Sequence, residues 1–288
     1  MEKVKMFSFL KNGAIEYLQS SLLNKCDFFI HSFCTRRGGV SQKNYASLNV
    51  SFGEGDEDSN VLQNWGRIAA AFTIPVEQFL VVNQVHEDGI FVVKPYGGYF
   101  SSRTELDYDA IVTDRADLAI CVKTADCVPV FIVDRVKKVI AAVHAGWRGT
   151  ALGISAKVVR LLLDNYGSSP QDILAAIGPS IGACCYEVDS SVANAFRNQK
   201  GHDKFLFAGK KADKWTLNLA EANQRQLLGC GVSEENIDLC DLCTACNQDL
   251  FFSHRGSGGM AGRQINFIMI EGQTPCLVLK GENDYSIQ

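Results

Sequence analysis

The chain has 288 residues, of which 47% are hydrophobic and 21% are charged, and its formal net charge is −4. These values are ordinary for a soluble globular protein, and they give no electrostatic footprint for nucleic acid or for an anionic membrane surface. The first residues lack an apolar stretch of signal-peptide length, and no later run is long enough to span a membrane. With eleven cysteines and no secretion signal, we expect reduced thiols and a cytoplasmic location.

Hydrophobic periodicity predicts strands and helices throughout the chain. Because no repeat, low-complexity tract or proline-rich linker interrupts the pattern, we expect a single domain over residues 1–288. Helices are predicted at 58–71, 150–166, 190–196 and 215–228. The predicted strands are residues 26–34, 79–85, 90–94, 110–113, 118–123, 128–133, 139–143, 173–177 and 236–242, with a further strand end at 251–255.

The strands predicted at 128–133 and 139–143 are rich in β-branched residues and flank a polar step, which indicates a buried hairpin. With a two-residue loop at 135–136, Cys127 would lie opposite His144, with Cβ atoms roughly 5 Å apart. A longer loop or a bulge would shift this pairing. The hairpin therefore predicts either part of a metal site or a Cys–His catalytic pair.

A third candidate ligand is His86, which follows the strand predicted at 79–85, a position where binding groups are commonly displayed. His86, Cys127 and His144 all stand at strand ends, so they are able to converge at one end of a sheet. Three such ligands with an open fourth position are typical of catalytic zinc. The chain has only four other imidazole candidates besides His86, namely His31, His144, His202 and His254.

Two other interpretations of Cys127 and His144 stay open. In a metal-free pair, the imidazole would deprotonate the thiol for attack on a carbonyl. The base would then need an orienting carboxylate, and the candidates are Asp109, Asp126 and Glu187. In the structural alternative, the two residues are a buried thiol and a core histidine.

A second set of cysteines, Cys240, Cys243 and Cys246, forms a C-x-x-C-x-x-C pattern. This pattern is compatible with an iron–sulfur or zinc site, but no fourth cysteine follows at the ferredoxin interval. We therefore favour reduced structural thiols. The odd cysteine count and the adjacent Cys184 and Cys185 also argue against a disulfide framework.

Six short motifs occur in order along the chain. The two most distinctive are TADC at 124–127 and HAGWRG at 144–149, and with the other four they resemble the laccase-domain family. That family is also called the polyphenol-oxidase or YfiH/YlmD-like purine nucleoside phosphorylase family. The resemblance extends over about residues 29–269, so we place the core of the domain at about 29–270. The other motifs are TRRGGVS at 35–41, NQVH at 83–86, IGPSIG at 177–182 and FSHR at 252–255.

The resemblance implies a YfiH-like α+β fold, in which mixed β-sheets are flanked by helices. It also implies that His86, Cys127 and His144 hold a zinc ion and form the catalytic centre. The implied reactions are phosphorolysis of adenosine, inosine and methylthioadenosine and deamination of adenosine. The implied partners are small purine nucleosides and phosphate, and the oligomeric state stays open.

Phosphorolysis needs a group that binds phosphate and an acid that protonates the departing purine. For phosphate the candidates are Arg36, Arg148 and the start of the predicted helix near Thr150. For the acid the candidates are Glu187 and His254. In deamination, a water activated by the metal would attack C6 of adenosine.

Older descriptions of the family assign copper-dependent phenol oxidation. Multicopper oxidases need a mononuclear and a trinuclear copper centre, and hence many imidazoles, whereas this chain has five histidines and no His-x-His pair. A lone site of two histidines and one cysteine accepts copper readily. We therefore interpret oxidation as a result of metal substitution and rank it below nucleoside chemistry.

Overall fold

The structure is a computed structural model that describes residues 6–93 and 106–272. Within these residues the chain forms fifteen β-strands, most of them short. In chain order the strands are β1 (Phe7–Asn12), β2 (Ile15–Ser20), β3 (Phe29–Cys34), β4 (Phe79–Val81), β5 (Ile90–Val93), β6 (Ala110–Thr113), β7 (Ala119–Thr124), β8 (Val128–Asp134), β9 (Val139–Ala145), β10 (Ile173–Ile177), β11 (Glu187–Asp189), β12 (Leu206–Ala208), β13 (Lys214–Leu217), β14 (Ile237–Leu239) and β15 (Gln264–Ile270).

Five α-helices lie between the strands in the same described ranges, and none of them is long and apolar enough to cross a membrane. Short 3-10 turns join several of the other elements. The helices are α1 (Asp58–Phe72), α2 (Trp147–Ala151), α3 (Ile154–Tyr166), α4 (Ser190–Phe196) and α5 (Leu219–Gly229).

Two six-stranded sheets contain most of the strands. The first has the order β1-β2-β3-β15-β7-β4, and the second has the order β14-β10-β8-β9-β6-β5. Most neighbours are antiparallel, but β4 with β7, β5 with β6, and β10 with β14 are parallel pairs. A small third sheet has the order β11-β13-β12. These mixed sheets and separate helices confirm the expected α+β class.

The two large sheets pack against each other, and helices cover their outer faces. Alternate residues of β8 point to opposite sides of its sheet. Phe131 contacts Phe33 of the first sheet, with ring centroids 4.5 Å apart, whereas Val130 and Ile132 pack in the cluster that includes α3 and α5. On the far side of the first sheet, Trp65 of α1 belongs to a third cluster. Because both faces are covered, every residue of β8 and β9 is buried, which explains the uninterrupted apolar runs in the sequence.

The β8–β9 hairpin is present, but its predicted register is wrong. The loop has four residues, 135–138, because the carboxylate of Asp134 accepts hydrogen bonds from two backbone N–H groups of the loop (2.8 Å each). His144 therefore lies opposite Pro129 rather than opposite Cys127. Cys127 falls one residue before β8, outside the ladder.

Two predicted helices have different limits in the structure. The helix predicted at 150–166 is interrupted by Gly153, which has a φ of 83°, so α2 and α3 are separate. The helix predicted at 215–228 begins only after Asn218, whose side chain accepts a hydrogen bond from a backbone N–H of the first turn (3.1 Å). Trp215 instead belongs to β13.

Several predicted strands are shorter than expected or absent. Beyond β4, a side chain replaces the backbone as the partner of β7. The amide of Gln84 makes two hydrogen bonds with the backbone of Lys123 (2.7 and 2.8 Å). The segment 251–255 is not a strand. Residue 94, the last of the strand predicted at 90–94, lies outside the described residues. The same holds for residues 1–5, 94–105 and 273–288 of the predicted domain. The predicted strands at 26–34, 79–85 and 236–242 are shortened to β3, β4 and β14.

His31, in β3, is a buried histidine whose properties predict a pH dependence of folding. Its Nε2 accepts a hydrogen bond from the backbone N–H of Ser20 (2.9 Å), and burial lowers its pKa to about 3. Below pH of about 6.5 the unfolded chain takes up a proton here that the folded chain does not. This residue therefore makes the free energy of unfolding fall by up to about 1.4 kcal/mol per pH unit as the pH decreases from about 6 to 4.

Urea unfolding measured across this pH range checks the expectation. The variant His31→Gln, which keeps a hydrogen-bonding side chain without a titrating ring, should show a shallower pH dependence than the parent chain. Equal pH slopes in the two proteins would contradict it.

Candidate metal centre and its cavity

Three side chains that are distant in sequence converge at one end of the second sheet. The ligand atoms of His86, Cys127 and His144 all lie within 4.8 Å of one another. His86 lies in the connection between β4 and β5 and has a positive φ of 61°, Cys127 immediately precedes β8, and His144 lies in β9. The structure thus brings together the three residues proposed from the sequence, although the hairpin register differs.

Asp109 positions both histidines. Its Oδ1 accepts hydrogen bonds from Nδ1 of His144 (2.7 Å) and from the backbone N–H of His86 (3.1 Å). Its Oδ2 accepts a hydrogen bond from the backbone N–H of Glu87 (2.7 Å). Burial of Asp109 opposes ionisation, but these hydrogen bonds outweigh it and lower the pKa of the carboxyl. Of the three orienting carboxylates proposed from the sequence, Asp109 is the one that contacts His144, and it leaves Nε2 available for a metal.

The pair formed by Cys127 and His144 is strongly polarised. Burial disfavours the thiolate of Cys127, but the charges of His144 and His86 and their hydrogen bonds outweigh this and lower the pKa of the thiol to about 6. Burial likewise disfavours a charged His144, but Cys127 and Asp109 raise the pKa of this imidazole to about 9. The cysteine is therefore a thiolate at neutral pH, which is the form that binds metals and attacks electrophiles.

Two glycines let the HAGWRG loop approach this group closely. A Cβ atom at Gly146 would lie 3.1 Å from Cδ2 of His86 and 3.3 Å from Sγ of Cys127. A Cβ atom at Gly149 would lie 2.5 Å from the carbonyl oxygen of Glu87, which is too close for any side chain. Glycine at these two positions therefore lets the loop lie close to the two imidazoles and the thiolate without a steric clash.

The donor set fits a zinc ion. Two imidazoles and one thiolate, with a second hydrogen bond that fixes one imidazole, are typical of catalytic zinc sites that keep a fourth position open. The open side of the group faces a cavity of about 610 Å³. This volume is within the range of small-molecule binding sites.

The cavity is rich in cationic and aromatic side chains. The guanidinium of Arg148 stacks on the ring of Trp147, with its central carbon 4.6 Å from the ring centroid, and has no hydrogen bond or ion pair with a described residue. By contrast, Arg263 pairs with Glu54 (3.0 Å), and Arg255 donates to the carbonyl oxygen of Glu187 (2.9 Å). The polar and aromatic lining residues include Phe52, Glu54, Gln84, Lys123, Asp126, Trp147, Arg148, Tyr186, His254, Arg255 and Arg263.

Of the predicted substrate-binding residues, Arg148 and His254 line the cavity. Arg36 does not: its guanidinium donates to three backbone carbonyls and stacks on Phe252, with its central carbon 4.4 Å from the ring centroid. Arg36 therefore stabilises its loop. Glu187 also lies outside the lining and is exposed on β11.

The helix start predicted near Thr150 lies instead at Trp147, and Thr150 is a buried residue inside the five-residue helix α2. Sequence reasoning gave no role to Lys123, Tyr186, Arg255 and Arg263. Arg255 is part of the FSHR motif, and Lys123 directly precedes the TADC motif, so the motifs are the sequence signal that could have found these two residues.

Comparison with protein-family models matches residues 30–271 to the family described as multi-copper polyphenol oxidoreductase laccase. The purine nucleoside phosphorylase YlmD of Geobacillus stearothermophilus is 36% identical over 239 residues, which cover 81% of this chain and 87% of that protein. The purine nucleoside phosphorylase YfiH of Escherichia coli is 34% identical over 238 residues, with coverage of 82% and 91%.

Two solved structures share the fold. The hypothetical protein YfiH of Bacillus licheniformis superposes with a TM-score of 0.84 at 35% identity, over 91% of this chain and 99% of that one. YlmD of Geobacillus stearothermophilus also gives a TM-score of 0.84, at 31% identity and with coverage of 93% and 99%. The expected YfiH-like fold is confirmed.

Proposed function

The chain belongs to this laccase family, and on that premise we propose that it is a zinc-dependent purine nucleoside phosphorylase acting on adenosine, inosine and methylthioadenosine. The observation that carries the proposal is the placement of the guanidinium of Arg148, which has no hydrogen bond or ion pair with a described residue, in the same cavity as His86, Cys127 and His144. The cavity thereby offers a cation for an anionic co-substrate beside a group of potential metal ligands.

Arg148 is the residue best suited to hold phosphate. A guanidinium forms paired hydrogen bonds with phosphate oxygens, and the stacking on Trp147 fixes the plane of the group without using its N–H donors. Arg255 and Lys123 add positive charge to the same cavity. Phosphate bound here would lie within the cavity that the metal centre opens into.

In the proposed reaction, a phosphate oxygen forms a bond to the anomeric carbon of the ribose while the bond from that carbon to the purine nitrogen breaks. The departing purine takes a proton, and His254, which lines the cavity, is the proposed donor. The ring of Tyr186 lies in the same lining and offers an apolar face to the base. When bound, zinc supplies positive charge and Lewis acidity beside the substrate.

Adenosine deamination is proposed as a second activity of this cavity: the oxygen of water forms a bond to C6 of the base, the bond from C6 to the amino nitrogen breaks, and inosine and ammonia are the products. Copper oxidation receives less support. One group of two histidines and a cysteine accepts copper, but His31 is buried in the core and His202 lies on a 3-10 turn, so these two imidazoles do not extend the centre.

A metal-free cysteine hydrolase is a competing function that one observation favours. The lowered pKa of Cys127, about 6, and its contact with His144 are the properties of an activated nucleophile. The two functions make different predictions for metal removal. A chelator should abolish nucleoside phosphorolysis and should leave a cysteine hydrolase active.

The proposal is tested by incubating the zinc-loaded protein with each nucleoside, with and without phosphate. Ribose 1-phosphate, or its methylthio analogue, should form only when both substrates are present. The variant Arg148→Ala should raise the KM for phosphate by about 10- to 100-fold, since hydrogen bonds to charged groups contribute about 1.5–3 kcal/mol.

The matched control for this test is Arg160→Ala, which removes an exposed arginine of α3 outside the cavity. It should leave the KM for phosphate unchanged. Arg148→Lys should fall between the two, because lysine keeps the charge but loses the paired geometry. If Arg148→Ala saturates with phosphate as the parent protein does, Arg148 is not the phosphate ligand.

A further inference from the structure

A second group of potential metal ligands lies outside the catalytic cavity. The sulfur atoms of Cys184, Cys185, Cys243 and Cys246 all lie within 4.8 Å of one another. The first two follow β10 and the last two follow β14. Because β10 and β14 are parallel neighbours, the segments that leave them emerge at the same end of the sheet. This pairing explains why cysteines about sixty positions apart meet.

The spacing of the sulfur atoms matches that around a single tetrahedral ion. With Zn–S bonds of about 2.3 Å, the sulfur atoms of a four-cysteine site are about 3.8 Å apart. The sulfur of Cys246 lies 3.6 Å from that of Cys184 and 3.3 Å from that of Cys185. Small shifts are therefore sufficient to place all four sulfur atoms around one ion. Cys243 and Cys246 also have the C-x-x-C spacing of structural zinc ligands.

Two backbone N–H groups near the cluster are directed at the sulfur of Cys243. The N–H of Gly182 donates a hydrogen bond to the sulfur of Cys243 (3.2 Å), and the N–H of Cys246 points to the same sulfur. A Cβ atom at Gly182 would lie 3.3 Å from the sulfur of Cys184 and 3.4 Å from Cβ of Cys243. The glycine thus allows the backbone to come close to two of the four cysteines.

We propose that Cys184, Cys185, Cys243 and Cys246 form a second, structural zinc site with four thiolate ligands. Four ligands fill the coordination sphere of zinc, so this ion has a structural role rather than a catalytic one. Cys240, the first cysteine of the C-x-x-C-x-x-C pattern, is not a ligand, because it is buried in the core and its N–H donates to the carbonyl oxygen of Ile177. The C-x-x-C-x-x-C pattern thus supplies two ligands, Cys243 and Cys246, and the adjacent pair Cys184 and Cys185 supplies the other two.

The proposed ion connects a segment that lines the catalytic cavity with a segment that contacts Asp126, itself a lining residue. Ile181 and Tyr186, which flank the first pair of cysteines, line the cavity. Thr244, between the second pair, donates a hydrogen bond to Asp126 (2.6 Å), the neighbour of Cys127. The second zinc ion would therefore hold these two segments in place without contacting the substrate.

Elemental analysis and X-ray absorption spectroscopy test the proposal. The full chain is purified under reducing conditions, loaded with zinc and separated from loosely held metal. We expect two zinc ions per chain in the parent protein and one in Cys127→Ala. In the Cys127→Ala protein, the absorption spectrum should show four sulfur neighbours at about 2.3 Å. The double variant Cys243→Ser/Cys246→Ser should lose one ion, whereas the matched control Cys240→Ser should keep both.

The measurement on Cys127→Ala keeps the test decisive if the double variant fails to fold, because that protein retains the whole four-cysteine cluster. A Cys127→Ala protein that binds no zinc, or whose zinc has fewer than four sulfur neighbours, would overturn the proposal. So would a disulfide within the cluster after reducing purification, seen as a mass two hydrogens too low in peptides that contain these four cysteines. None of these outcomes depends on the reaction proposed for the other site.

Discussion

Replacement of Cys127 by alanine is expected to release one metal ion per chain and to decrease the rate of phosphorolysis by at least about a hundredfold. The reason is geometric: the thiolate is one of only three protein ligands that converge on this position in the described part of the chain. Two imidazoles alone hold zinc weakly and leave it mobile in the cavity. Metal content by elemental analysis and ribose 1-phosphate formation at saturating phosphate are the two measurements.

Two comparisons make this prediction specific. Cys26→Ala removes a half-buried thiol elsewhere in the chain and should change neither metal content nor rate. His86→Ala separates the metal-dependent reaction from a metal-free cysteine nucleophile, because the former needs this imidazole as a ligand, whereas the latter uses His144 as its base. Full activity of His86→Ala in the presence of a chelator would contradict the zinc-dependent mechanism.

Asp109→Asn is expected to weaken zinc binding by about 10- to 100-fold, the usual effect of changing a group that orients a metal ligand. The carboxylate accepts three hydrogen bonds, from Nδ1 of His144 and from the N–H groups of His86 and Glu87. An amide has one acceptor oxygen, so its NH₂ group must face at least one of these donors. Competition with a chromophoric chelator measures the affinity, and excess zinc should partly restore the rate.

A second buried aspartate provides the control for this variant. Asp134 lies at the loop end of the β8–β9 hairpin, far from His144, and caps the 135–138 loop. Asp134→Asn should lower the stability of the fold but leave the zinc affinity unchanged. A zinc affinity of Asp109→Asn equal to that of the parent chain would show that the carboxylate does not position the ligands.

The sequence predicted the convergence of three side chains better than the backbone that holds them. His86, Cys127 and His144 all stand next to the ends of strands predicted from the sequence, and this relation is readable from apolar runs. The hairpin register was wrong because the loop length depends on the side-chain capping of Asp134, which strand patterns do not report. The contact survived because a thiol just outside a ladder still reaches a neighbouring imidazole.

The substrate residues were harder to predict. Arg36 and Arg148 both stand in glycine-containing segments of the sequence, so local composition does not distinguish their roles. Their roles differ because carbonyl groups from distant segments surround Arg36, whereas Arg148 lies on Trp147 and faces the cavity. The pairing of the cysteines after β10 with those after β14 also depends on which strands are neighbours, and the chain order alone does not give this information.

The anchoring of both histidines to Asp109 has a practical consequence for exchange chemistry. The hydrogen bonds that hold the two histidines run from the ring of His144 and from the backbone N–H of His86 to one carboxylate, so they persist whichever metal occupies the centre. The protein should therefore tolerate stripping and reconstitution with cobalt, copper or manganese while it stays folded. Turnover rates measured with each of these metals would then compare the metals by their chemistry alone.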